Sequence, residues 1–340
     1  MPNIETRAAT AMTLITSADE LTPWEVAWRQ LAEARGNPFV TPDWYRSWLE
    51  HYDEDAEPFV IISCDSTGTC DGVLPLVRTG GSALRFAGAD IGDQFHPACH
   101  ESHELESTRR ACAVLREHAD EWSTAVFHGT EIDSDWLSGL RDGGSPLRVV
   151  TGLATAMPYV NLRELEWDTY WAERGRKLRK YVRSRSNQLS KNHDVTFRRS
   201  EDRSELVNDM TTMFELHERR FGRSSLLLDP RAQAFHRTFA EAASRHDWLR
   251  LAFMEIDGKP VAASYGWNVG GRYGDYNGGF HPDWAKTSVG LLLMVHTLRC
   301  AFEEGANEYD FLLGDESYKS RFSEDRRRVA TVMAGQRCAP

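Results

Sequence analysis

The chain has 340 residues, more than one ordinary domain, with 41% hydrophobic and 11% aromatic content in the globular range and no apolar run long enough to span a bilayer. A formal net charge of −11, from 51 acidic and 40 basic residues, excludes a surface suited as a whole to non-specific nucleic-acid binding. Six cysteines without a C-x-x-C pair and a start lacking a basic then apolar run predict reduced thiols, no secretory signal and a cytoplasmic location.

In chain order, the apolar spacing predicts short helices over 23–35 and 42–52, the second capped by Thr41 with Pro42 at its first position. Trp44, Tyr45 and Trp48 on it read as core. Strands follow at 59–64, 73–77 and 84–87, separated by turns at Gly68, Gly72 and Gly80-Gly81. A helix over 105–118, a strand over 124–128, a short helix near 136–140 and a Gly-rich loop at 141–145 lead to a strand and connection over 147–162.

The second half opens with one long helix predicted over 167–191. Eight Lys or Arg residues (174, 176, 177, 179, 180, 183, 185 and 191) and no acidic residue fall between 174 and 191, the local reverse of the chain's acidity. Leu178, Val182, Arg185 and Leu189 mark its packing stripe. The cations around that stripe are either a solvated face or a surface for an anion. Next come a strand at 195–199, helices over 204–220 and 231–245, and strands at 249–256, 260–269 and 273–280, joined by hairpin turns at Asp257-Gly258 and Gly270-Gly271. A helix over 288–304, ended by Gly305, precedes strands at 308–313 and 329–334.

The two halves repeat one layout. Residues 59–81 and 249–271 both read strand, Asp-Gly turn, strand, Gly-Gly turn, and both continue through a His-Pro loop into helix and strand, which predicts an internally duplicated α/β unit. The run His96-Pro97-Ala98-Cys99-His100-Glu101-Ser102-His103 carries residue types that ligate zinc, but it also occupies the first copy's equivalent of the loop before the 288–304 helix, so no metal is expected.

The hairpin from Asp257 to Ser264, the strand end Tyr276-Asn277-Gly278-Gly279-Phe280, the helix start Ser288-Val289-Gly290 and the run from Tyr309 through Asp310, Asp315, Glu316 and Tyr318 to Lys319 resemble the GNAT-like domain of CelD-type cellulose-biosynthesis acetyltransferases. They are also similar to the FemABX peptidyltransferases, which carry two such domains. The basic segment and the run Glu215-Leu216-His217-Glu218-Arg219-Arg220 extend the likeness over most of 167–337. The pieces Pro38-Phe39, Pro58-Phe59 and Gly88 to Asp93 resemble the first copy.

The resemblance implies an α/β fold of two tandem GNAT-like domains, each a mixed central sheet flanked by helices: a degenerate one at 1–160 and an acyltransferase domain at 161–340. It implies acyl-CoA as co-substrate, with the pantetheine arm in a gap between splayed strands and the pyrophosphate on backbone N–H groups of a helix start, here Lys286, Ser288, Val289, Gly290 and Leu291. The family fingerprint has Gln or Arg, two residues, Gly, one residue, Gly or Ala; this chain has Lys286 and a single Gly290. Acyl transfer needs a neutral amine, a donor to the acyl oxygen and an acid for the leaving group. Tyr318, Glu316 and Tyr276 are the catalytic candidates, with Tyr318 as acid, and Asp310 is expected to hold its strand end. Asp275, Asn277, Asp315, Lys319, Asp93 and His96 are substrate-binding candidates, the last two from a first copy expected to shape an acceptor pocket between the domains. The expected activity is N-acyl transfer to an amine of a small molecule or glycan. An aminoacyl-tRNA donor held by the basic helix 174–191, and a non-catalytic scaffold in polysaccharide assembly, are the alternatives.

Overall fold

The computed structural model describes residues 11–52, 55–142, 147–314 and 316–336. Contacts divide the chain into two compact units, Met1–Thr155 with Arg328–Pro340, and Ala156–Arg327. The first contains β1 (Met12–Ile15), α1 (Glu25–Ala34), α2 (Pro42–Tyr52), β2 (Ala56–Cys64), β3 (Cys70–Thr79), β4 (Ala83–Phe86), β5 (Ala98–Cys99), α3 (Glu104–Glu117), β6 (Thr124–Glu131), α4 (Asp135–Arg141) and β7 (Leu147–Thr151). The second contains β8 (Thr155–Asn161), α5 (Trp167–Glu173), α6 (Arg176–Ser190), β9 (Val195–Arg199), α7 (Leu206–Phe221), α8 (Pro230–Arg245), β10 (Leu249–Ile256), β11 (Lys259–Val269), β12 (Arg272–Phe280), α9 (Val289–Glu303) and β13 (Glu308–Asp310). The last strand, β14 (Arg326–Gln336), pairs with β6 and β7 of the first unit.

The predicted duplication is visible as element order. The first unit runs strand, two helices, three antiparallel strands, helix, then β6 parallel to β4; the second repeats this from β9, with β13 parallel to β12. Gly80 and Gly81 adopt φ of 55° and 77°, and Gly270 and Gly271 adopt 55° and 83°, left-handed values that a side chain would strain.

Several local expectations need correction. Gly72 is no turn: it pairs with Ser63 inside β3, and the hairpin closes earlier, where the Asp65 carboxylate accepts from the N–H groups of Thr67 and Thr69. β1 was not expected, yet it pairs along β2. The helix expected over 167–191 is broken, because Arg174 and Gly175 are extended (ψ 146° and 132°). Arg174 is held there by its bond to the Phe322 carbonyl at 2.6 Å and by lying 4.5 Å over the Tyr170 ring. The strand expected over 308–313 stops at Asp310, whose Oδ1 accepts from the Leu312 N–H at 2.7 Å while Leu312 turns to φ 54°. Residues 143–145 of the Gly-rich loop expected at 141–145, and Cys338, lie outside the described residues.

Both cores follow the sequence pattern. Trp44, Tyr45 and Trp48 are buried in the first unit, and the Thr41 hydroxyl caps α2 by accepting from the Trp44 N–H at 3.1 Å. In the second unit Leu178 and Leu189 of α6 are buried and Val182 packs beside them, whereas Arg185 leaves that stripe to sit 5.1 Å over the Tyr181 ring.

Candidate active site

β12 and β13 are parallel partners for only three residues, Arg272 to Gly274 against Glu308 to Asp310. Beyond Gly274 they separate, since the chain after β13 turns to β8, the Phe311 N–H bonding the Pro158 carbonyl at 3.0 Å. Asp310 anchors the fork: fully buried, it pairs with Arg272 and, at 3.2 Å, with Arg327. A cavity of about 520 Å³ opens in the second unit where the strands part. Asp275 to Phe280 form one wall, Phe311 and Leu313 another, and Ser288 to Leu291 at the head of α9 a third.

A register shift opposite Tyr265 and Gly266 pairs Gly266 with Asp275 and Tyr265 with Asn277, leaving Tyr276 as the extra residue of a bulge on the cavity wall. Bulges of this kind re-aim side chains and free backbone groups from the ladder. The Tyr276 ring packs against Trp267, with centroids 4.8 Å apart, and His236 at 5.6 Å. Behind Asn277, α7 comes so close that a Cβ on Gly279 would overlap the backbone of Leu216 and His217, so only glycine fits. His217 is buried, its Nδ1 2.8 Å from the Ser225 hydroxyl, and burial, reinforced by Arg220, lowers its pKa to about 4 despite a hydrogen bond with Asn277.

Head-on to the gap, Ser288 adopts left-handed φ 62°, ψ 38°, and its side chain does not cap α9. Its hydroxyl instead meets the Tyr181 hydroxyl at 2.7 Å. The first bond back to this turn is from Leu292 to the Ser288 carbonyl, so the N–H groups of Val289, Gly290 and Leu291 have no partner among the described residues, the usual condition of an anion-binding helix start. Lys286 lies on the preceding turn, Pro282–Thr287, exposed and outside the cavity lining.

At the other end sit Asp275, Glu316, Tyr318 and Lys319. Burial raises the Asp275 pKa, against hydrogen bonds from Ser264 (2.9 Å) and Tyr309 that favour the carboxylate. Burial, with Asp275 and Glu316 nearby, also raises the Tyr318 phenol, so it keeps its proton at neutral pH. Burial is the largest influence on Glu316 and works against its ionisation, but the bond from Lys319 at 2.8 Å, a backbone hydrogen bond and the charges of Lys319 and Arg220 together outweigh it, and its pKa is lowered. The Lys319 ammonium, itself buried, spends its remaining donors on the Leu313 and Gly314 carbonyls at 3.0 and 3.3 Å, which makes it a tie for the loop. Asp315 lies outside the described residues.

The structure therefore gathers Tyr318, Glu316, Tyr276, Asp275, Asn277, Lys319 and 288–291 around one cavity. Asp93 and His96 belong to the first unit and do not line it. The His96 ring is buried, with Nε2 2.9 Å from the Asn37 amide and Nδ1 2.8 Å from the Pro97 carbonyl. Among the described residues no three His, Cys, Asp or Glu side chains group as a metal site, and no helix is long and apolar enough to cross a membrane. Sequence reasoning missed Tyr181 and Arg220 as lining residues. Arg220 reaches the Gly278 carbonyl at 3.2 Å and lies 5.1 Å over the Phe280 ring. Tyr181 is the lone aromatic of the basic segment, one position off its packing stripe, and that was the available signal.

Residues 176–320 match the family model described as an acetyltransferase (GNAT) domain. No curated protein matches the sequence. Among solved structures, FemX is similar with a TM-score of 0.65 at 12% identity, covering 94% of this chain and 96% of that one. L-PGS from Bacillus licheniformis gives 0.55 at 15% identity, with 87% and 91% covered. A tandem GNAT protein from the clavulanic acid biosynthesis pathway gives 0.50 at 11%, with 98% and 100% covered. These likenesses establish the fold. Over 176–320, in the unit that holds the forked strands and the cavity, the chain is an acyltransferase domain of the GNAT type.

Proposed function

We propose that the second unit transfers an acyl group, acetyl being the simplest, from acyl-CoA to a primary amine of a small-molecule or glycan acceptor by direct attack. The observation that carries this is the coincidence, in one cavity, of the β12–β13 fork and three N–H groups at the head of α9 that have no partner among the described residues. The helix start would hold the pyrophosphate, and the fork would take the pantetheine arm in place of a strand partner.

The amine nitrogen bonds to the acyl carbon as the thioester C–S bond breaks. Tyr318, protonated at neutral pH, gives the proton that the departing thiolate needs. Glu316, ionised, takes up the proton that the neutral acceptor amine releases on attack. Incubating the protein with acetyl-CoA and a panel of amines, while following free thiol, tests this reading: amine-dependent thiol release supports it, and none with any amine counts against it.

A second reading has its own observation. α6 carries Arg176, Lys177, Arg179, Lys180, Arg183 and Arg185, and its Tyr181 lines the cavity. That arrangement suits the phosphates of an aminoacyl-tRNA donor. Retardation of tRNA in a gel, weakened by raised salt and by Lys180→Gln/Arg183→Gln, would favour it over CoA.

A further inference from the structure

Arg220 and Arg321 both line the cavity. Other arginines of the second unit meet carboxylates: Arg198 pairs with Asp209 and Glu255, Arg250 with Glu304, and Arg272 with Asp310. Arg220 and Arg321 pair with none among the described residues, in a chain of net charge −11. The carboxylates that share the cavity are already engaged, Glu316 with Lys319 at 2.8 Å and Asp275 with the Ser264 hydroxyl at 2.9 Å.

The two guanidinium groups serve different ends of the cavity. The charge of Arg321 acts on Tyr181, whose hydroxyl meets Ser288 at the helix start. The charge of Arg220 acts on Asp275, Glu316 and Tyr318, the groups at the opposite end, and favours the ionised form of each. Arg220 is also held in place. It stands on the last turn of α7, the helix that Gly279 brings against β12. One Nη donates to the Gly278 carbonyl at 3.2 Å, and the guanidinium carbon lies 4.5 Å from the Phe221 ring centroid and 5.1 Å from that of Phe280. A guanidinium restrained on two aromatic faces, with its other N–H groups free of partners among the described residues, is preorganised for a planar oxyanion.

We propose that Arg220 selects the acceptor, binding a carboxylate carried by the same molecule as the attacking amine, so that the acceptors are amino acids or other amines bearing a carboxylate. The proposal rests on the acyltransferase reading of the cavity and adds the acceptor's class. The pyrophosphate of the donor is assigned to the head of α9, so the oxyanion left for Arg220, beside Glu316 and Tyr318, is the acceptor's own. A neutral amine would leave this guanidinium without a counter-charge.

Thiol release from acetyl-CoA, with 4-aminobutanoate against 4-aminobutanamide and with L-lysine against L-lysinamide, tests it. In the first pair the amine is remote from the group that changes. Wild type should use each acid about tenfold better than its amide in kcat/KM. Arg220→Gln should erase that preference by raising KM for the acid, with kcat nearly constant, and Arg220→Lys should restore part of it; melting curves confirm that both variants fold. Equal use of acid and amide by wild type would overturn the proposal, as would a preference that survives in Arg220→Gln. A tenfold weaker CoA affinity in Arg220→Gln, read by calorimetry, would also overturn it by giving the guanidinium to the donor's phosphates. If no amine releases thiol, the donor reading falls, and calorimetric binding of the same four amines decides this one. Acid bound over amide in wild type but not in Arg220→Gln upholds it, and no difference overturns it.

Discussion

The Tyr181 hydroxyl lies 2.7 Å from the Ser288 hydroxyl, joining the basic helix α6 to the left-handed residue that opens α9. The bond to Ser288, then the nearby Arg185, lowers the Tyr181 pKa, so the phenol is a strong donor. Ser288 in turn is oriented away from the N–H groups it would otherwise compete for. Tyr181→Phe removes one such hydrogen bond, and the dissociation constant for CoA should rise about 3- to 10-fold. Calorimetric titration measures it, with the melting temperature little changed.

Tyr318 is held neutral by burial and by two nearby carboxylates. Tyr318→Phe keeps the ring and removes the proton, so turnover should fall about 100-fold with KM for the acyl donor nearly constant. Because the phenol's pKa is raised, the wild-type rate should show no loss from its ionisation up to pH 9. Stopped assays of thiol release across pH 6 to 9 give both results.

Asp310 is completely buried between Arg272 and Arg327. Asp310→Asn leaves two guanidinium groups facing an amide, and a broken buried pair costs about 3 to 5 kcal/mol. Urea unfolding should shift its midpoint accordingly. Asp310→Asn should therefore fail through stability, with soluble folded material retaining CoA affinity.

Gly279→Ala would drive a methyl group into the backbone of α7 at Leu216 and His217. Neither backbone can give way cheaply, so α7 must separate from β12. Stability should drop by several kcal/mol, about the upper range for overpacked sites, and thermal melting reads it.

His217 has a folded pKa of about 4, lowered by burial, against the ordinary histidine value of 6.5. A depressed histidine pKa means that the unfolded chain binds the proton first. Stability from this group is complete above pH 6.5 and is lost as pH falls toward 4. Between pH 7 and pH 5 the loss is about 2 kcal/mol. Urea titrations at the two pH values should show it in wild type and show less of it in His217→Gln.

The fold was legible where local chemistry is decisive. Asp257-Gly258 and the two Gly-Gly turns mark the hairpins, Thr41 and Pro42 start α2, and the Ser288-Val289-Gly290 start places the head of α9. What stayed hidden depends on distant partners. The break at Gly175 is enforced by the Phe322 carbonyl on Arg174, 148 positions away. The bulge at Tyr276 is a matter of register with β11, which no single strand encodes. Lys319 reads as a candidate substrate ligand in a loop until its carbonyl partners are known. Tyr181 was masked by the charges around it.

Titration of the protein with CoA in a calorimeter tests the central claim most directly. The account predicts one site per chain with a dissociation constant below about 1 mM, and loss of that heat in Gly290→Val, whose added side chain would press on Phe280 while cooperative melting confirms its fold. No heat at millimolar CoA from folded wild-type protein would contradict the claim.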